Sequence, residues 1–285
     1  MTFNLPFGAI GATFRVGFSV FSDNYAIGAN QYWLAILDNI GTVQLYLRWN
    51  ASKQIELRRG DNTLLATGTK ILQNNSWYYV EFLATIDDVL GSASLQIDGA
   101  PQFSIGPVDT RNGGNATMGG FILRGDSGST YWSDLFVADA GPLVGEQRVL
   151  LLTPNADGAA SAWTPSTGVA LWSLVDEIPP NGDTDYISSA TPGQEALFAF
   201  TDLPYTPANV YGVQTSLYAR KDDAGVREIA ALVRSGGTTN IGATQALSSS
   251  YLDIYLRVDS VNPITTAAWT PAEVNALEAG VRCIT

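Results

Sequence analysis

The side chains that could carry acid–base or nucleophilic work are scattered carboxylates and the single thiol of Cys283. Glycoside hydrolysis requires two carboxylates flanking one bond. On a sandwich strand that pattern would be two Glu alternating around an Asp, and it does not occur. Glu56, Glu81 and Glu146 are isolated in sequence. Glu177 directly follows Asp176, so on a strand the two would face opposite sides. There is no His, which removes the commonest general base, the commonest zinc ligand and every Ser-His-Asp or Cys-His arrangement. Cys283 lies in the apolar run Val281-Arg282-Cys283-Ile284 and reads as a buried thiol without a base. No Walker loop or dinucleotide fingerprint is present. The pairs Gly113-Gly114, Gly119-Gly120 and Gly236-Gly237 read as turns. The expectation is a protein that is not an enzyme and has no cofactor.

Binding chemistry has two openings. Asp87-Asp88, Asp109 with Asn112, and Asp183 with Asp185 place hard oxygens on loops, as calcium requires. Asn181-Gly182-Asp183-Thr184-Asp185 is the strongest of these, but it lacks a twelve-residue calcium loop and its closing Glu. Solvated turns are the competing reading, and no metal ligand is assigned. Aromatic rings could instead stack on sugars. Trp33, Tyr46, Trp49, Tyr79 and Trp132 fall on expected strands. Trp49 ends one strand and Trp132 precedes another, so these two are the candidate glycan-contact residues. Packing between sheets is the competing fate for all five.

The net charge of −12 repels phosphate backbones and anionic membrane surfaces, so neither nucleic acid nor membrane is an expected partner. Low charge density favours self-association, and a homo-oligomer is expected. Met1 to Val20 has no basic residue before Arg15 and no unbroken apolar run, so it reads as a strand and not as a signal peptide. The expectation is a chain made in the cytoplasm and released by lysis or assembly.

Charged residues are only 15% of the chain, against a usual quarter, so Ser, Thr, Asn, Gln and Gly must supply much of the polar surface. Those residues support strands and turns better than helices. Alternating segments recur: 13–20, 32–37, 43–49, 54–58, 77–86, 92–97, 103–105, 121–124 and 133–138. Asp98-Gly99 predicts a tight hairpin turn. A boundary is expected near Gly141-Pro142, giving domains 1–141 and 142–285. Beyond it, strands are expected at 148–152, 196–200, 210–221, 228–234 and 252–258, with a polar loop from Pro154 to Gly168. Lys221-Asp222-Asp223-Ala224-Gly225 predicts a hairpin between two of them. Thr270-Pro271-Ala272-Glu273 predicts a capped helix over 271–279, stopped by Gly280. The predicted class is all-β, with two β-sandwich or jelly-roll-like domains and one short helix near the C-terminus.

Three stretches of the first half resemble a concanavalin A-like, laminin-G-like jelly roll: Ser76-Trp77-Tyr78-Tyr79-Val80-Glu81-Phe82, the run from Gly91 to Ile97-Asp98-Gly99, and Ser133-Asp134-Leu135-Phe136-Val137-Ala138-Asp139. The second half resembles uncharacterised bacteriophage structural proteins of the head and tail. That likeness is carried by Gly145-Glu146-Gln147-Arg148-Val149, Asp157-Gly158, Trp163-Thr164-Pro165-Ser166 and Val175-Asp176-Glu177. Gly182-Asp183-Thr184-Asp185-Tyr186, the run Ala219 to Gly225, and Trp269 to Asn275 extend it. The resemblance implies a virion location and a structural role on the particle exterior, as a capsid decoration protein, head fibre or tail-associated protein. Its partners would be other virion proteins. The alternative function is a carbohydrate-binding module that contacts host surface glycans.

Overall fold

The computed structural model describes residues 2–4, 10–25, 32–125 and 129–285. It divides into two compact units, Met1–Val149 and Leu150–Thr285. The strand expected from Met1 to Val20 falls partly on Met1 and residues 5–9, outside the described residues. No helix among the described residues is long and apolar enough to cross a membrane.

The first unit has β1 (Thr2–Asn4), β2 (Thr13–Ser22), β3 (Leu34–Leu37), β4 (Val43–Trp49), β5 (Ile55–Arg59) and β6 (Leu64–Thr67). It continues with β7 (Ser76–Thr85), β8 (Gly91–Ile97), β9 (Ala100–Val108), β10 (Gly120–Leu123) and β11 (Thr130–Asp139). They form two antiparallel sheets, ordered β1-β10-β3-β4-β5-β6 and β11-β2-β7-β8-β9. Alternation explains why they pack face to face. Phe14, Val16, Phe18 and Val20 of β2 and Val80 and Phe82 of β7 turn inward. They meet Leu34, Ile36, Leu45, Leu47, Ile55 and Leu57 of the other sheet in one buried cluster. Each such side chain contributes about 1.5–3 kcal/mol by leaving water. The Asp98-Gly99 turn is present, with φ of 51° and 74°, and it sets Ile97 opposite Ala100.

The first unit runs on through Val149, beyond the junction expected at Gly141-Pro142. Residues 142–149 lie as a strap over the outer face of the β11-β2-β7 sheet. Glu81, 1% exposed, accepts the amides of Val144 and Gly145 at 2.9 Å each. Arg15 donates to the Pro142 carbonyl. The Val149 amide donates to Asp134 Oδ1 at 3.0 Å. The strand expected at 148–152 does not form; within that span the Val149 amide goes to the Asp134 carboxylate and not to a neighbouring strand.

The second unit has β12 (Pro154–Ser161), β13 (Thr164–Pro165), a 3₁₀ turn (Leu171–Leu174), β14 (Ile187–Ser188), β15 (Glu195–Phe200) and β16 (Val213–Ala219). It continues with β17 (Glu228–Ser235), β18 (Thr238–Ala246), β19 (Leu252–Asp259), α1 (Pro271–Asn275) and β20 (Glu278–Cys283). A five-stranded sheet, β12-β15-β20-β17-β18, is joined by the ribbons β13-β14 and β16-β19. Ala196, Phe198, Ile229, Ala231 and Val281 on one sheet face bury against Ile254 of β19 and Leu171 of the 3₁₀ turn. The opposite face carries cross-strand ion pairs, Glu195–Arg282 and Arg234–Glu278, each at 3.3 Å. The architecture is therefore all-β and sandwich-like, with a single short α-helix among the described residues, near the C-terminus.

Three sequence expectations change here. The helix expected over 271–279 ends at Asn275, although its capping box forms between Thr270 and Glu273. Residues from Glu278 onward are claimed by β20, which pairs on both edges. Gly280 is thus a mid-strand residue and not a helix stop. A Cβ there would fall 1.9 Å from the Ala196 carbonyl oxygen, which only glycine avoids. Lys221–Gly225 does not join a hairpin: β16 pairs with β19, and β17 with β18 and β20. The expected loop from Pro154 to Gly168 contains β12 and β13.

Candidate functional site

Strand parity decides which aromatic rings reach water. Along β7, Tyr78, Val80 and Phe82 point into the core, so Trp77, Tyr79 and Glu81 point out. Along β2 the inward set ends at Val20, which leaves Phe21 outward. On β11 Trp132 lies opposite Val20 and Tyr131 opposite Phe21. Three adjacent strands therefore present Tyr131, Phe21 and Trp77 in one register on the outer face. Ring centroids are 5.9 Å apart from Tyr131 to Phe21 and 5.6 Å from Phe21 to Trp77, with tilts of 53° and 46°. Trp77 is 54% and Tyr131 57% exposed.

Small polar groups frame this row. On one side, in the same face, lies the register Ser133–Ser19–Tyr79. Ser133 and Ser19 both donate to Asp134 Oδ2 at 3.1 Å. On the other side, where the strands end, Ser129 donates its amide to Asp23 Oδ1 at 3.0 Å, and the Asn75 amide bonds the Ser22 carbonyl. Ser133, Ser129, Asp23 and Asn75 are exposed.

Neither residue singled out from sequence belongs to the row. Trp49 is 3% exposed, edge-on to Tyr25 at 5.1 Å and beside Trp33 at 5.3 Å. It is a core residue, out of reach of a sugar, because position 49 continues the inward set of Leu45 and Leu47. Trp132 packs partly buried against Phe18 and Trp33, at 5.4 and 5.5 Å, and also points inward. For one of the outward rings, Trp77, the sequence holds a signal. A charged Glu81 in an apolar strand marks the odd positions as outward, and Trp77 shares its parity.

The acidic loops are engaged by the protein's own donors. Arg59 pairs with Asp109 and Arg111 with Asp88. Asp183 Oδ1 accepts from Tyr251 at 2.7 Å and Arg220 at 2.9 Å, and these hydrogen bonds lower its pKa. The Leu90 and Val89 amides lower that of Asp87 in the same way. Among the described residues no three His, Cys, Asp or Glu side chains converge as a metal site. The isolated glutamates have structural partners too. Burial works against the ionised form of Glu56, yet hydrogen bonds from Arg58 and Arg48 outweigh it and hold its pKa below the ordinary range. Glu146 pairs with Arg148. Burial pushes the Glu177 carboxyl up, and the charges of Asp185 and Asp176 add to the effect. Asp176 and Glu177 lie outside any strand, so the opposite-face expectation does not apply to them.

No protein-family model and no curated protein matches this sequence. Among solved structures, the chain is similar to a native heptameric SAP-like pentraxin from Limulus polyphemus, with a TM-score of 0.34 and 15% identity. That similarity covers 46% of this chain and 64% of the pentraxin chain.

Proposed function

We propose that this chain is a non-enzymatic structural protein of a bacteriophage particle's exterior, serving as a capsid decoration protein, a head fibre or a tail-associated protein. The observation that carries the reading is the fate of its cations. Each of the fifteen Lys and Arg side chains has a partner within its own unit. Charge is spent on bracing turns and strands, which suits a chain whose work is to hold a surface in place.

Three of the stretches that carry the phage resemblance sit at joints of the fold. Gly145–Val149 belongs to the strap, Asp157 accepts the Trp172 amide at 2.8 Å, and Trp269–Asn275 contains the helix cap. The outermost strands of the main sheets, β1, β6, β9, β11, β12 and β18, give homotypic pairing a means. Electron microscopy and peptide mass spectrometry of purified particles from a culture expressing this chain test the proposal. Stoichiometric peptides and external density are expected. Particles that lack both overturn it.

A further inference from the structure

We infer that the Tyr131–Phe21–Trp77 row is a binding site for a neutral carbohydrate chain. This does not depend on a virion location, and the two readings fail separately. Sugars bind through their apolar C–H faces on aromatic rings and through hydroxyls bonded to small polar groups. The row offers one ring per strand on three neighbouring strands, with exposed Ser133 on one flank and Ser129, Asp23 and Asn75 on the other. Two carboxylates frame it, Asp23 and Asp134; the one cation bonded to them among the described residues, Arg148, is paired with Asp134 and Glu146, and the chain carries net charge −12. Sulfated, sialylated or phosphorylated ligands are therefore disfavoured.

Size argues against a protein occupant. A stable protein interface takes roughly 800 Å² and 20–30 residues from each partner. Here the same sheet face is already covered two registers away, where the strap lies over Glu81. Among the described residues, what remains open on it is three rings wide. Their tilts of 46° and 53° make a stepped surface, which matches a single soluble glycan whose successive sugars rotate and not a flat crystalline face.

Calorimetric titration of the full chain with cello-, chito-, malto- and manno-oligosaccharides tests this, with sialyllactose as the anionic control. Binding of at least one neutral series is expected, with none of sialyllactose. Trp77→Ala and Tyr131→Ala should each weaken it about tenfold, the scale of a lost stacking contact. Both side chains are more than half exposed, so the melting temperature should hold. Trp49→Phe, a change in the core, should leave affinity unchanged. The inference is overturned if no neutral series binds or if the row variants bind as the parent does. It is also overturned if Trp77→Ala abolishes self-association without altering glycan affinity, because a second copy then owns the rings.

Discussion

A carboxylate that water hardly reaches must find its partners inside the protein. Glu81 finds them in two strap amides and in the guanidinium of Arg15, whose Nε lies 3.7 Å away. Arg15 is itself only 8% exposed, so each charge is the other's main neutraliser. Removing one would leave the second buried and uncompensated, which is worse than never having had the pair. Glu81→Gln should therefore destabilise the first unit by about 3 kcal/mol, read as a lower urea midpoint. Hydrogen exchange at the Val144 and Gly145 amides should accelerate in the same variant. A change on the aromatic row should do neither. The contrast separates residues that build this sheet face from residues that use it.

At the scale of elements, β20 holds the second unit together, because it pairs with β15 on one edge and β17 on the other. Its Gly280 admits the Ala196 backbone where any side chain would collide. Gly280→Ala should cost more than about 2 kcal/mol and lower the melting temperature of the second unit. The outlines of such elements were readable to different degrees. β4 occupies the 43–49 span that its alternation predicts, because both its faces and its turns are strongly marked. β6 and β18 leave little mark in the sequence. The first is four residues long, and the second, Thr238–Ala246, is a largely polar edge strand with little apolar periodicity to detect. The helix starts where its capping box predicts and ends earlier than its sequence predicts, since Ala276-Leu277-Glu278-Ala279 has good helix propensity that the pairing of β20 overrides. The site followed the same logic. Aromatic content was evident, but choosing rings by their place at strand ends picked Trp49 and Trp132. The rings at the surface are fixed by parity across three strands, which only the paired register displays.

For the whole molecule, the two units make the position of a cut consequential. A fragment of residues 1–149 keeps the strap, whereas one ending at residue 141 leaves Glu81 and Arg15 with an open face. The longer fragment should unfold cooperatively, and the shorter one should be less stable by about 2–4 kcal/mol in urea. Equal midpoints would mean that the strap contributes nothing. Finally, the single thiol, Cys283, sits 4% exposed on β20, the doubly paired strand. A disulfide-exchange reagent can reach it only when that strand parts from its neighbours. The labelling rate of the unmodified chain thus times the opening of the second unit while the first stays silent, a clock for one half that needs no engineered probe.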